Sequence, residues 1–210
     1  MNKFIGLSGL PRSGSTLLSA ILSQNPDIHA EGNSAVCQLM WDMQQSCRGE
    51  SYEQLLANDR LQTGVDLVAA IPHIYYKNVT APIIVDKCRS WTLETNMNLI
   101  RLLITDTPKV IVLERPLIDI VKSFVALRIA NKSINIFEDL LLDEGTEPIY
   151  QFCEIEAFEH DLSNIVNQHP ENDKVYNMKG QHDIRATISK RTINVELSDK
   201  LLARCAELDK

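Results

Sequence analysis

No stretch of the chain approaches the roughly 20 consecutive apolar residues of a membrane-spanning helix, and the opening run Phe4-Ile5-Gly6-Leu7 is too short for a secretion signal's apolar region. The chain is therefore expected to begin directly in its fold, to have no membrane partner and to work in the cytoplasm. No Cys-x-x-Cys pair occurs among the five cysteines, Cys37, Cys47, Cys88, Cys153 and Cys205. An odd, scattered set of this kind predicts reduced, mostly buried thiols and no metal site. Repeats and low-complexity tracts are also lacking. Basic residues are outnumbered, 21 Lys and Arg against 28 Asp and Glu, which leaves a net charge of −7. A surface of that sign repels nucleic acid and anionic membranes, so any anionic ligand has to be held by a locally built site.

The sequence does contain a core. With 210 residues, 44% of them hydrophobic and 23% charged, one globular domain spanning residues 1–210 is expected. Three apolar runs, Lys3–Ser8, Pro82–Asp86 and Lys109–Leu113, are each followed by a segment of helical spacing: Thr16–Leu22, Leu93–Thr105, and Pro116 to about Ala130. Asn25-Pro26 ends the first helix. Runs rich in Val, Ile and Leu without polar alternation suit strands covered on both faces, so the expected class is α/β, a P-loop-type domain with a central parallel sheet flanked by helices. Residues 34–78 read as mostly helical and are expected to cover the site. A last helix is expected over Ser198–Glu207, capped by Ser198.

The chemistry begins between the first strand and the first helix, at Gly9-Leu10-Pro11-Arg12-Ser13-Gly14-Ser15-Thr16. Backbone N–H groups of such a turn, together with a helix N-terminus, converge on phosphate oxygens. Both glycines and Thr16 match the nucleoside-triphosphate loop G-x-x-x-x-G-K-S/T, but Ser15 occupies the lysine position. That lysine clamps the β- and γ-phosphates in ATP and GTP enzymes. Here the cation sits inside the loop, at Arg12, whose fork suits a single terminal oxyanion group. Asp86, at the end of an apolar strand, imitates a magnesium-binding aspartate and keeps a small-molecule kinase of the P-loop class as an alternative. Further on, Arg115-Pro116 closes a strand and opens a helix, with Pro116 suited to its first turn. Ser123 follows about two turns along, so Arg115 and Ser123 can share one phosphate.

These two motifs resemble the PAPS-dependent sulfotransferases of the bacterial and tyrosylprotein branches. Their 5′-phosphosulfate loop reads Pro, a basic residue, Ser or Ala, Gly and two hydroxyl residues; their 3′-phosphate motif is R-x-P-x-D-x-x-x-S. Pro11 to Thr16 match the first. Arg115 and Ser123 keep the spacing of the second, with Pro116 one place early and Asp119 four residues before Ser123. The resemblance covers roughly residues 3–130. It implies a single α/β domain, 3′-phosphoadenosine 5′-phosphosulfate (PAPS) as donor, 3′-phosphoadenosine 5′-phosphate (PAP) as product, and no metal. By resemblance, Pro11, Arg12, Ser13, Gly14, Ser15 and Thr16 hold the 5′-phosphosulfate, and Arg115 and Ser123 hold the 3′-phosphate.

In-line sulfuryl transfer to an acceptor hydroxyl or amine also needs a base and a charge at the leaving oxygen. Glu31 resembles the catalytic glutamate of the tyrosylprotein branch in its place after the first helix and is the expected base, with His29 as the alternative. Both are expected on a loop. Lys87, after the second strand, is placed to stabilise the bridging oxygen beside Arg12, since ligands gather at the carboxyl ends of parallel strands. Gly180 to Arg191 resembles the late donor-binding segment of bacterial members, which makes His182, Arg185, Lys190 and Arg191 candidates for donor or acceptor contacts. The acceptor is expected to be a small molecule, a carbohydrate or a peptide. Family members carry a longer stretch where this chain has only Ile129–Gly145, so a noncatalytic nucleotide-binding protein is a further alternative.

Overall fold

The computed structural model describes residues 3–133, 147–188, 193 and 195–209. The fold is α/β, as expected: a four-stranded sheet flanked by helices, in the order β2-β3-β1-β4. Along the chain run β1 (Lys3–Gly9), α1 (Ser15–Leu22), β2 (Ile28–Asn33), α2 (Val36–Arg48), α3 (Tyr52–Ala57), α4 (Leu61–Tyr75) and β3 (Ile83–Lys87). Then follow α5 (Glu94–Leu103), β4 (Lys109–Leu113), α6 (Leu117–Ser133), α7 (Glu147–Cys153) and α8 (Asp199–Leu208). The central strands β1 and β3 pair in parallel, in register from Lys3 opposite Ile83 to Leu7 opposite Lys87. Their unbroken apolar runs are what burial on both faces requires. No apolar run announces β2. His29-Ala30-Glu31-Gly32-Asn33 carries no β-branched residue, and the strand exists because it lies beside β3, where Ile83 N–H donates to Asp27 O at 3.1 Å and Ser34 N–H donates to Lys87 O at 3.0 Å.

The described residues form two compact units. The first takes in those of Met1–Ser8, Pro26–His29 and Asn33–Ile111. Its core joins Phe4 and Ile84 of the sheet to Val36, Cys37 and Met40 of α2, Val68 of α4, Leu99 and Ile100 of α5, and Trp91. Trp91 is fully buried and meets the Phe4 ring edge-on, with centroids 5.8 Å apart. Gly6 makes room for it: a Cβ there would lie 3.3 Å from the indole and 3.1 Å from Val110. Asp86, which ends the apolar part of β3, is 0% exposed and accepts two hydrogen bonds of 2.7 Å, from Trp91 Nε1 and from the Tyr76 hydroxyl. This carboxylate is committed to a buried polar cluster, which removes the feature that suggested a magnesium-binding aspartate.

The first unit also holds a pair of thiols. Cys37 and Cys88 both approach the Ser90 hydroxyl, at 3.6 and 3.2 Å. Cys88 is pushed from 9.0 down to about 6, first by the hydrogen bond from Cys37 and further by Ser90, against the opposing effect of burial. Cys37 is pushed up, first by that same bond and then by burial. Thiolate absorbance in the folded protein is therefore expected to show one step near pH 6 that Cys88→Ser removes; a first step above pH 8 would contradict the pairing. A depressed acid stabilises the fold above its unfolded value. That contribution is lost as pH falls through about 6.

The second unit takes in the described residues of Gly9–Asn25, Ala30–Gly32 and Val112–Lys210. Leu17, Leu18, Ile21 and Leu22 of α1, Ile120, Ala126 and Leu127 of α6, Tyr150 and Cys153 of α7, Ile165, and Cys205 of α8 are buried here. Ser23 Oγ at the end of α1 donates to Ser19 O and to Ala30 O of β2, 2.7 Å in each case. α6 begins one residue later than expected: Pro116 precedes it, and its carbonyl accepts from Asp119 N–H at 2.9 Å. The cap of α6 comes from the far end of the chain, where Asp209 Oδ1 accepts from Leu117 N–H at 2.8 Å, a carboxylate placed favourably at a helix N-terminus. Ser198 occupies the N-cap position of α8 as expected but makes no side-chain capping bond, so α8 starts without the hydroxyl's help.

Candidate functional site

The phosphate-loop candidate lies wholly in the second unit. Gly9 is required by close approach, since a Cβ would stand 2.8 Å from Ser13 Oγ and 3.0 Å from Leu113 O. Arg12 takes the left-handed conformation at φ 70°, Ser13 N–H donates to Leu10 O at 3.1 Å, and Gly14 at φ 100° leads into α1. Left-handed backbone at a residue with a side chain costs roughly 1–3 kcal/mol and persists only where the surroundings impose it. The first N–H groups of a helix lack intrahelical acceptors, and α1 has no acidic residue in its first turn to oppose an incoming anion. Ser13, only 1% exposed, has a buried hydroxyl without a hydrogen-bond partner. A buried guanidinium, an orphaned hydroxyl and a helix N-terminus together suit a compact oxyanion.

The second motif meets the first at Arg12. Arg12, 7% exposed, donates from Nε to Oγ of Ser123 at 3.1 Å, and Ser123 on α6 is itself 0% exposed. Arg115 Nη1 donates to the Arg12 carbonyl at 2.8 Å. Loop and helix signatures 103 and 111 residues apart are thus tied through one residue. Arg12 Nη1 donates in addition to the carbonyl of Gln181, a contact that no motif in the sequence announces.

Glu31, half-buried, belongs to the same unit as the loop and sits on β2 rather than on a loop. Along β2, Ile28 and Ala30 are buried while His29 and Glu31 occupy the alternate positions. His29 lies in the first unit, where its ring meets Tyr76 edge-on at 5.7 Å. Lys87, also in the first unit, is the last residue of β3 and only 3% exposed, so it is no ordinary surface lysine. His182 is held among carboxylates of the second unit. Arg185 is half-buried there, and Lys190 and Arg191 lie outside the described residues. Among the described residues no three His, Cys, Asp or Glu side chains gather as a metal site, and no helix is long and apolar enough to cross a membrane.

The model of the sulfotransferase family matches residues 5–141, about two thirds of the chain. The chain belongs to the sulfotransferase family. The matched stretch includes the Arg12 loop, Glu31, Lys87, Arg115 and Ser123, and stops short of Gln181 and His182. No curated protein matches. Among solved structures, the sulfotransferase domain of the Synechococcus PCC 7002 olefin synthase is similar over 100% of this chain and 95% of that one, with a TM-score of 0.50 and 16% identity. At that identity the likeness is one of fold, and the fold is that of a sulfotransferase.

Proposed function

We propose that this sulfotransferase takes its sulfuryl group from PAPS and passes it to an acceptor hydroxyl or amine by in-line displacement. The observation that carries this reading is Arg12 bonded at once to Ser123, through its guanidinium, and to Arg115, through its backbone carbonyl, which ties the two signatures of a 3′-phosphorylated donor to one buried residue. PAPS supplies an activated sulfur, and the chain's residues do the rest. The α1 N-terminus, Arg12 and the Ser13 hydroxyl receive the phosphosulfate oxygens, and Arg115 and Ser123 the 3′-phosphate. Glu31 takes the proton as the acceptor oxygen or nitrogen bonds to sulfur. The bond from sulfur to the phosphate oxygen breaks, and Arg12 is assigned to the charge left on that oxygen, which departs as PAP.

Calorimetry with PAP tests the donor. Binding in the micromolar range is expected without magnesium, and Arg12→Ala weakens it about 100-fold, the scale of losing paired hydrogen bonds to an anion. No binding by the wild-type protein at millimolar PAP would overturn the reading, and magnesium-dependent ATP binding in its place would favour the kinase.

A further inference from the structure

We propose that Asp173 and His182 form a positioning pair that holds the Gln181 carbonyl on the Arg12 guanidinium, so that residues 171–182 help set the grip of Arg12 on its anion. This rests on the donor reading above and concerns residues that lie beyond the family match.

His182 is fixed at three atoms. Its backbone N–H donates to Asp173 Oδ2 at 3.1 Å, its Nδ1 stands 2.5 Å from Asp173 Oδ1, and its Nε2 faces Glu171 Oε1 at 3.5 Å. Side-chain exposures of 8% for His182, 10% for Glu171 and 16% for Asp173 set this cluster apart from a solvated surface pair. Tyr176, on the short 3-10 turn Asp173–Tyr176, donates its hydroxyl to Glu171 Oε2 at 3.3 Å and sets its ring edge-on to the imidazole at 5.6 Å. Glu171 in turn packs over Gly32, where any Cβ would collide with its side chain.

Gln181 is fastened from the other side as well. Lys179 N–H donates to Asn131 Oδ1 of α6 at 2.8 Å, and Gly180, at φ 73°, turns the chain between that anchor and Gln181. The residues on either side of Gln181 are thus fixed, and its carbonyl accepts from Arg12 Nη1. A segment with almost no regular structure is held at Gln181, where it meets the anion loop. Arg12 needs such support: its backbone is left-handed, and a guanidinium gripping an anion must be pre-oriented to be effective. Arg115 restrains the Arg12 carbonyl and Ser123 its Nε, and the Gln181 carbonyl adds a restraint at Nη1.

The experiment is a double-mutant cycle read by PAP calorimetry on the full chain. Asp173→Ala and His182→Ala are each expected to weaken PAP binding about tenfold. His182→Asn, whose amide can still donate to Asp173, is expected to restore most of it. In the Arg12→Ala background, Asp173→Ala is expected to add less than twofold, because the residue being positioned is gone. A purely structural pin would instead weaken binding by the same factor with or without Arg12. That additive result would overturn the proposal, as would single variants within twofold of wild type. Should Asp173→Ala fail to fold, His182→Ala and His182→Asn in both Arg12 backgrounds distinguish positioning from a structural pin by the same comparison. Wild-type protein that binds no PAP overturns the donor reading and this inference together, whereas wild-type binding with unaffected variants overturns the inference alone.

Discussion

Glu31→Gln is expected to lower kcat by about 10²–10⁴-fold while leaving PAP affinity within about twofold, the range by which a positioned general base accelerates proton transfer. The two readouts separate because Glu31 is assigned to the acceptor's proton and not to the donor's phosphates. Gln keeps the size and one acceptor oxygen of Glu but cannot take a proton. A loss confined to kcat therefore marks a transition-state role. β2 gives the assignment its physical footing: Ala30 is buried on one face and its carbonyl accepts from Ser23, which fixes the strand at the residue before Glu31. Glu31 is in the same compact unit as Arg12, and the His29 ring lies edge-on against Tyr76. His29→Ala is accordingly expected to retain most of kcat. Initial rates with PAPS and a panel of phenol, sugar and peptide acceptors check both variants. If His29→Ala abolishes turnover and Glu31→Gln does not, the base is His29; if neither does, no base lies on β2.

Much of this was legible in the sequence, and the gaps have identifiable causes. β1 and β3 announce themselves because central strands buried on both faces must be apolar, and β4, an edge strand with Val112 49% exposed, is readable from its Val and Ile run alone. β2 does not, because a short strand at the sheet's edge can be held by hydrogen bonds to β3 with residues as unpromising as Glu31, Gly32 and Asn33. The two anion motifs are local patterns and so can be read. That Arg12 joins them is a long-range fact, and no spacing rule predicts a bond across 111 residues. The late segment is harder still. Asp173 and His182 are nine residues apart in irregular chain, where neither helical nor strand periodicity says which side chains will meet. Asp86 shows the opposite failure, a residue whose position at a strand end suggested a metal ligand because its partners, Tyr76 and Trp91, could not be seen from one dimension.

Asp86→Ala is expected to destabilise the protein by about 2–6 kcal/mol, the cost of leaving two buried donors without their acceptor. The carboxylate is 0% exposed and its two oxygens take hydrogen bonds from Trp91 Nε1 and the Tyr76 hydroxyl, both side chains of the first unit's core. Truncation leaves two buried donors unsatisfied, each worth about 1–3 kcal/mol, and a void beside Trp91. Asp86→Asn retains one acceptor and turns an N–H toward the other donor, so its loss should be smaller but still above about 1 kcal/mol. Tyr76→Phe removes a donor and is expected to cost about 1 kcal/mol in the native background but to recover about 1 kcal/mol or more once Asp86 is Ala, because the stranded hydroxyl is then gone. Denaturant unfolding of the four variants measures this coupling. Magnesium at millimolar concentration is expected to leave all midpoints in place, because the carboxylate is 0% exposed and each oxygen already accepts a hydrogen bond from the core. A variant Asp86→Ala within about 1 kcal/mol of wild type would overturn the role of buried acceptor, and a magnesium-dependent stabilisation that this substitution removes would return Asp86 to the role of a metal ligand.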